Sequence, residues 1–193
     1  MKPKILVFTG PPGSGKSTQA QLVANEYRLA YFDTGAMFRR LKMEGFSTPE
    51  MDRGELMDPL TTLELTQKEY QKIIEGNPAG ISVSGSFRTL DESFGKDRQG
   101  GLAKWLSDKY GKESIYFFRI NLSEEEAAKR NAMRGEGRQD DNPKLMKTRI
   151  EEYRARTEPV FKELENKGYR VIDIDGAPSK EEVFASIKEH LKS

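Results

Sequence analysis

The sequence predicts an α/β fold in which a five-stranded parallel sheet carries helices on both faces. Five short apolar runs alternate with helical patterns along the 193 residues, and such alternation is typical of parallel strands joined by helices. The length fits one domain, which we expect to span residues 1–193. A glycine-rich segment follows the first run, at the strand end where sheets of this kind bind ligands. We therefore expect the functional site beyond the carboxyl ends of the strands.

The predicted elements follow one another in order along the chain. The apolar, β-prone runs that predict strands are 5–8, 30–32, 80–84, 114–122 and 169–174. Helical spacing of apolar residues is found at 20–27, 37–41, 60–74, 102–110 and 124–134, in a segment that begins at Pro143, and at 179–191. Ser123 and Glu126 form a capping-box pattern, which favours a helix beginning there. The polar, glycine-rich stretch 91–101 predicts a loop.

Two segments fit neither the sheet nor its covering helices. Residues 42–60 are polar and interrupted by glycine and proline, which predicts a small helical insert of about 34–75 once the neighbouring helical segments are included. A short segment of about 134–142, here called the lid, is too polar to hold a core and predicts a hinged flap. The rest of the chain, residues 1–33, 76–133 and 143–193, would then form the core.

Composition excludes several classes of site and partner. The net charge is +1, from 32 basic and 31 acidic residues, so we expect no nucleic acid and no membrane held by bulk charge. Without cysteine the chain has no disulfide, no thiolate nucleophile and no cysteine zinc site. No apolar run approaches the ~18 residues of a membrane span, and the first strand begins too early to leave room for a signal peptide. We expect a cytoplasmic protein.

Residues 10–17 satisfy the phosphate-loop pattern G-x-x-x-x-G-K-[ST] between the first strand and a helical segment. Glycines without a Cβ let successive backbone N–H groups turn towards an anion at the N-terminus of the following helix. Lys16 would reach the β- and γ-phosphates, and the Ser17 hydroxyl would bind Mg²⁺. The sequence thus predicts a P-loop NTPase-type sheet that binds a nucleoside triphosphate. The residues predicted to hold it are Gly13, Ser14, Gly15, Lys16, Ser17 and Thr18.

Arginines follow the strand ends or lie in and beside the predicted lid. They are Arg39, Arg88, Arg130, Arg134, Arg138, Arg149 and Arg156. Phosphoryl transfer depends on positioning and on neutralising charge at the transferring group, and guanidinium groups are permanently charged and bind phosphate oxygens in pairs. A lid that closes over the reactants would also exclude water. This arrangement favours kinase-type transfer to an acceptor over an NTPase switch.

Five short segments share a pattern that is spread over nearly the whole chain. They are Gly-Pro-Pro-Gly-Ser-Gly-Lys-Ser-Thr-Gln (10–19), Thr34-Gly35-x-Met37-x-Arg39, Gly85-x-x-Arg88-Thr89, Gly137-Arg138-x-Asp140-Asp141-Asn142 with Arg149 after it, and Asp175-Gly176. These segments resemble the motifs of the adenylate kinase family of nucleoside monophosphate (NMP) kinases. The corresponding family motifs are the phosphate loop, T-G-x-x-x-R, the G-F-P-R-T turn, the lid arginines and the turn near the ATP base.

The resemblance implies reversible transfer of the γ-phosphoryl group of Mg²⁺-ATP to an NMP, with AMP as the first choice of acceptor. It also implies a monomer with a single domain, which carries a helical NMP-binding insert and a short lid. Lys16, Arg134, Arg138 and Arg149 would hold the transferring group, and Arg39 and Arg88 the acceptor's α-phosphate. Thr34 would face the acceptor base, and Arg130 would stack on the adenine of ATP, near Gly176. Gly35, Gly85 and position 92 would complete the acceptor site. The two moving parts of the family would correspond to about 35–75 and 134–142.

Two departures from the family pattern affect the metal and the acceptor. Ser84 stands where the family has an aspartate that orients Mg²⁺-bound water, and Ala36 replaces the usual aspartate after Thr-Gly. The segment Asp33-Thr34-Gly35-Ala36-Met37 resembles bacterial cytidylate kinases instead. CMP, UMP and GMP therefore remain alternative acceptors, and Ser84 also leaves open a non-catalytic nucleotide-binding protein.

Position 92 carries a glutamate where the family places a glutamine that reads adenine. An amide both donates and accepts hydrogen bonds, whereas a carboxylate only accepts. Glu92 would therefore suit the amine of cytosine, or the paired donors of guanine, better than N1 of adenine. The alternative is that the long 91–101 loop shifts the alignment, so that Gln99 or no side chain reads the base.

Overall fold

The protein, described here by a computed structural model, forms one five-stranded sheet in which all strand pairs are parallel. The structure describes residues 4–46, 48–53, 55–76, 79–133 and 143–192. The strands are β1 (Lys4–Thr9), β2 (Ala30–Asp33), β3 (Gly80–Ser84), β4 (Ile115–Asn121) and β5 (Arg170–Asp175). Their order across the sheet is β2-β3-β1-β4-β5. The predicted fold class is confirmed.

Ten α-helices are found in the described ranges. They are α1 (Lys16–Tyr27), α2 (Thr34–Met43), α3 (Pro49–Arg53), α4 (Pro59–Gly76), α5 (Leu90–Phe94), α6 (Gly101–Tyr110), α7 (Glu124–Met133), α8 (Pro143–Glu152), α9 (Glu158–Asn166) and α10 (Lys180–Glu189). A 3₁₀ turn, Lys112–Ser114, precedes β4, and a π-helical segment, Tyr153–Thr157, joins α8 to α9.

The prediction of a loop over 91–101 is wrong at its beginning, where the chain forms α5. The Thr89 side chain accepts a hydrogen bond from the Glu92 backbone N–H at 3.1 Å, so a side-chain cap starts a helix inside a polar stretch. The π-helical segment after α8 was not predicted either. Ser123 caps α7 as expected, since its hydroxyl accepts from the Glu126 backbone N–H at 3.2 Å.

The sheet is buried on both faces, as expected for parallel strands covered by helices. Ile5 and Val7 of β1 point into one apolar cluster and Leu6 and Phe8 into the other, and all four side chains are fully buried. Apolar residues without alternation therefore occupy the central strand, as the run 5–8 predicts.

The register aligns the carboxyl ends of the central strands. Ser84 at the end of β3 pairs with Phe8 of β1 on one side and with Asp33 of β2 on the other. The predicted insert contains α2, α3 and α4, whereas the predicted lid, 134–142, lies outside the described residues; the domain bounds stay predictions. In the described part of the chain no helix combines the length and the apolar character needed to span a membrane.

Candidate active site

The phosphate loop connects β1 to α1 and depends on glycine conformations. Gly15 caps α1, which begins at Lys16, with φ of 84°, in the left-handed region that favours glycine. Gly13 has φ of 87°, and a Cβ there would lie 2.7 Å from Asn131 Nδ2 and 2.8 Å from the Ala127 carbonyl oxygen. Helix α7 therefore packs directly on the loop and requires glycine at this position.

The two chemically active side chains of the loop lie at its mouth. Lys16 Nζ donates to the Pro11 carbonyl oxygen at 3.1 Å, so the ammonium group folds back over the loop, where a phosphate would compete for it. Ser17 Oγ donates to Asp33 Oδ2 at 2.9 Å and lies 2.8 Å from Ser84 Oγ. Three oxygen atoms from three elements thus meet at the start of α1.

A cavity of about 740 Å³ opens in front of the loop and extends under the insert, a volume in the usual range for small-molecule sites. Its lining includes the loop residues Gly13, Gly15, Lys16 and Ser17. It also includes the predicted acceptor residues Thr34, Gly35, Arg39, Gly85, Arg88, Glu92 and Arg149. The fold therefore brings the two predicted sets of residues into one space. Ser14 is buried in the loop and Thr18 is exposed on α1.

Two of the arginines in this cavity repel each other electrostatically. Burial and, to a smaller extent, the charge of Arg149 lower the pKa of Arg88 to about 10, against the opposing effects of Glu92 and Glu152. Holding guanidinium groups together away from water is unfavourable unless an anion relieves both costs. This wall of the cavity is therefore suited to a phosphate group. Arg39 is about half exposed at the cavity edge.

Arg130 is fixed outside this cavity by the turn after β5. Its guanidinium donates to the carbonyl oxygens of Gly176 and Ala177, both at 2.8 Å, and Nε donates to Glu126 at 3.1 Å. The Gly176 N–H in turn donates to the Asn121 carbonyl oxygen at 2.8 Å. The structure brings together the two residues that the resemblance assigns to the adenine of ATP, and stacking on that base stays a prediction.

Residues 84–92, here called the acceptor turn, are held by contacts that the sequence analysis missed. Glu92 is 2% exposed, and its two oxygens accept from the backbone N–H groups of Phe87 at 2.9 Å and Arg88 at 2.8 Å. Thr157 Oγ1 donates to the Arg88 carbonyl oxygen at 2.9 Å. Phe87 has φ of 60°, which is strained for a bulky residue. These bonds hold a strained turn in place.

The structure gives Glu92 two contacts that the sequence does not suggest. Both carboxylate oxygens point at main-chain donors of the chain itself, and the expectation that Glu92 reads the acceptor base does not account for these two bonds. The available signal was the residue type: a carboxylate accepts at both oxygens, as two adjacent N–H groups require, whereas an amide accepts at only one. Base reading by Glu92 stays an untested prediction.

Thr34 is also engaged by neighbouring side chains. Its hydroxyl lies 2.6 Å from Ser86 Oγ, which also accepts from the Tyr70 hydroxyl at 2.8 Å. Ser86 thus connects the start of α2, the acceptor turn and the insert helix α4. Thr34 also lines the cavity. Because its hydroxyl is already bonded to Ser86, the predicted contact with the acceptor base would have to come from other atoms of the residue.

Two predicted catalytic arginines, Arg134 and Arg138, fall in the lid and lie outside the described residues, as do Asp140 and Asp141. Arg149, which follows the lid, is partly buried on α8 and lines the cavity.

A phosphate loop between the first strand and first helix of a parallel sheet defines a P-loop nucleotide-binding protein. Consistently, the family described as "AAA domain" matches residues 9–147. A further family, described as "Polyglycine hydrolase-like, structural repeat", matches residues 159–190. This range contains strand β5 of the same sheet and helix α10.

Curated relatives match the chain over nearly its whole length. An adenylate kinase of Thermus thermophilus is 32% identical over 96% of both chains, and an adenylate kinase of Phenylobacterium zucineum is 30% identical over 96% of both. A UMP-CMP kinase of Danio rerio is 29% identical over 100% of this chain and 98% of its own. The chain belongs to the adenylate kinase family and is therefore an enzyme of the nucleoside monophosphate kinase class.

Proposed function

We propose that the chain transfers the γ-phosphoryl group of Mg²⁺-ATP reversibly to a nucleoside monophosphate, and that AMP is the preferred acceptor. The observation that carries this proposal is that the phosphate loop, Arg88 and Arg149 line one and the same cavity. Transfer between two nucleotides requires their terminal phosphates to meet in one space from which water is excluded. The preference for AMP rests on the adenylate kinases among the relatives.

In this proposal the residues act by binding and by neutralising charge. Lys16 would leave the Pro11 carbonyl for the donor phosphates, while Arg88 and Arg39 would bind the acceptor's phosphate through paired N–H groups. Arg149, with Arg134 and Arg138 of the lid, would stabilise the negative charge that spreads over the transferring group. No general base is needed because the attacking phosphate oxygen is already anionic. Arg130 would hold the adenine of ATP.

The oxygen atoms around Ser17 fit Mg²⁺, a hard cation that is bound in nucleotide sites by few protein oxygens together with phosphates and water. The described part of the chain contains no cluster of three or more histidine, cysteine or acidic side chains that could hold a metal ion. When bound, the ion would neutralise phosphate charge. Ser17 and its neighbours would hold it.

The test is a coupled assay of the purified protein with Mg²⁺-ATP and AMP, CMP, UMP or GMP, each alone. Strong turnover with AMP alone is the expected result. A preference for CMP or UMP would favour the substrates named for the zebrafish relative, and would overturn the choice of AMP while leaving the reaction intact. An absence of turnover with all four would contradict the proposed reaction.

A further inference from the structure

The carboxyl end of β3, which adjoins the phosphate-loop strand, carries no carboxylate. It ends in Ser84, whereas P-loop enzymes commonly combine the loop Ser or Thr with an aspartate that holds Mg²⁺. The carboxylate that contacts Ser17 comes instead from Asp33, which ends β2, one strand further from β1. Asp33 and Ser84 are register partners, so an acidic side chain one strand away still reaches the loop.

The hydrogen bonds of the Ser17 hydroxyl leave one of its lone pairs available to a cation. A hydroxyl has one donor proton and two acceptor lone pairs. Ser17 donates its proton to Asp33 Oδ2, so in the 2.8 Å contact with Ser84 it must be Ser84 that donates. One lone pair of Ser17 then remains.

The other described acids of the cavity are engaged elsewhere. Glu92 accepts from two backbone N–H groups of the acceptor turn, and Glu55 forms an ion pair with Arg53 at 2.8 Å. Asp33 has a divided role. Oδ1 caps α2 by accepting from the Ala36 N–H at 2.6 Å and lies 3.7 Å from the Arg39 guanidinium. Oδ2 faces Ser17 and also accepts from the Tyr31 hydroxyl at 3.3 Å. The Asp33 side chain is 13% exposed, so it is shielded from bulk water and fixed in direction.

We propose that Asp33 replaces the carboxylate missing from position 84 and organises the Mg²⁺ of the bound nucleotide through Ser17 and through the metal's water molecules. This inference rests on the proposed use of Mg²⁺-ATP and deepens it. The metal-organising acid has moved from β3 to β2, and Ser84 supplies the hydrogen bond that orients the Ser17 hydroxyl. A serine at position 84 is then compatible with catalysis, because the acid that organises the metal lies on β2 instead.

The test measures metal binding without any transfer reaction. The affinity for AMP-PNP, a non-hydrolysable ATP analogue, is measured by calorimetry with Mg²⁺ and with EDTA, in the wild type, in Asp33→Asn and in the double variant Asp33→Asn/Ser84→Asp. Asparagine retains the oxygen that caps α2. Mg²⁺ should strengthen the binding of AMP-PNP relative to EDTA, and we expect this strengthening to be about tenfold smaller in Asp33→Asn. The affinity of Asp33→Asn in EDTA should stay unchanged. The double variant should recover most of the lost strengthening.

Asp58→Asn is the matched control, because Asp58 also caps a helix, accepting from the Thr61 N–H at 2.8 Å, and should retain the full effect of Mg²⁺. An undiminished effect of Mg²⁺ in Asp33→Asn would overturn the inference. A loss without recovery in the double variant would overturn it too, since Asp33 would then act by supporting the loop. Failure of the wild type to bind AMP-PNP would instead contradict the proposed ATP donor.

Discussion

The two halves of the cavity are built in different ways. The phosphate loop consists mainly of backbone: glycines at positive φ, N–H groups and a helix N-terminus, all within residues 10–17. The acceptor turn is held by side chains, namely Glu92 within it and Thr157, which is 69 residues away from Arg88 in the sequence. A backbone-built site is therefore local and visible as a motif, whereas a side-chain-built site depends on distant partners.

The largest effect should come from the donor half. Lys16→Met removes the ammonium group that would bind the transferring phosphates, and we expect kcat to fall about 100- to 1000-fold with every acceptor. The measurement is steady-state turnover with each of the four monophosphates. Lys104→Met, on the exposed face of α6 where Lys104 pairs with Asp108, is the control and should stay near wild-type activity. A similar loss in both variants would contradict the assigned role.

In the acceptor half, Arg88→Lys keeps the charge but loses the paired N–H groups that bind two phosphate oxygens. We expect kcat/KM for the acceptor to fall about 10- to 100-fold, because an interaction with a charged group of about 1.5–3 kcal/mol is lost. The affinity for AMP-PNP should stay unchanged, which separates the two halves. Arg170→Lys serves as the control, because Arg170 is exposed at the amino end of β5, opposite the strand ends that carry the site. A weakened AMP-PNP affinity would place Arg88 in the donor half instead.

Glu92→Gln distinguishes a residue that holds the turn from one that reads the base. An amide can accept from only one of the two N–H groups and turns its own N–H₂ towards the other, so Arg88 loses its position. We expect acceptor kcat/KM to fall about tenfold by the same factor for AMP, CMP, UMP and GMP. A change in the order of preference would show base reading. Asp91→Asn, on the same helix and paired with Arg98, controls for loss of charge.

A pH profile sharpens the same distinction. Burial raises the pKa of Glu92, although the N–H groups of Arg88 and Phe87 oppose the rise. A protonated carboxyl accepts poorly at its hydroxyl oxygen, so the hold on the turn is complete above the raised pKa and is lost as the pH falls through it. We expect acceptor KM to increase on that acid side in the wild type and to lack this dependence in Glu92→Gln. Identical profiles would contradict the role.

The smallest effect should come from Thr157→Val, which removes the hydroxyl bonded to the Arg88 carbonyl at nearly constant volume. One neutral hydrogen bond contributes about 1 kcal/mol, so we expect acceptor KM to increase about two- to fivefold with kcat little changed. Ser107→Ala is the control, because it removes a hydroxyl that is bonded to the Ala103 carbonyl oxygen on α6 and to the Tyr169 hydroxyl, away from the acceptor turn. An equal effect of both changes would mean that Thr157 does not support the acceptor turn.

Much of the donor half could be predicted from the sequence. The strand predicted before the motif at 10–17 and the helix predicted after it are both confirmed, because each depends on residues adjacent in the chain. Helix α5 was missed because its cap, Thr89, starts it inside a polar stretch. The π-helical segment before α9 has no pattern of its own in the sequence, yet it contains the Thr157 hydroxyl that reaches the acceptor turn.

The sequence by itself determined the parallel sheet, the phosphate loop and the set of arginines, since periodicity, glycines and residue types are local properties. Only the tertiary structure decided which partners these residues take. Ser17 meets Asp33 and Ser84 at separations of 16 and 67 residues, and the two oxygens of Glu92 meet the backbone of the acceptor turn. Such contacts arise when strand order and register align the carboxyl ends of strands that are distant in the chain.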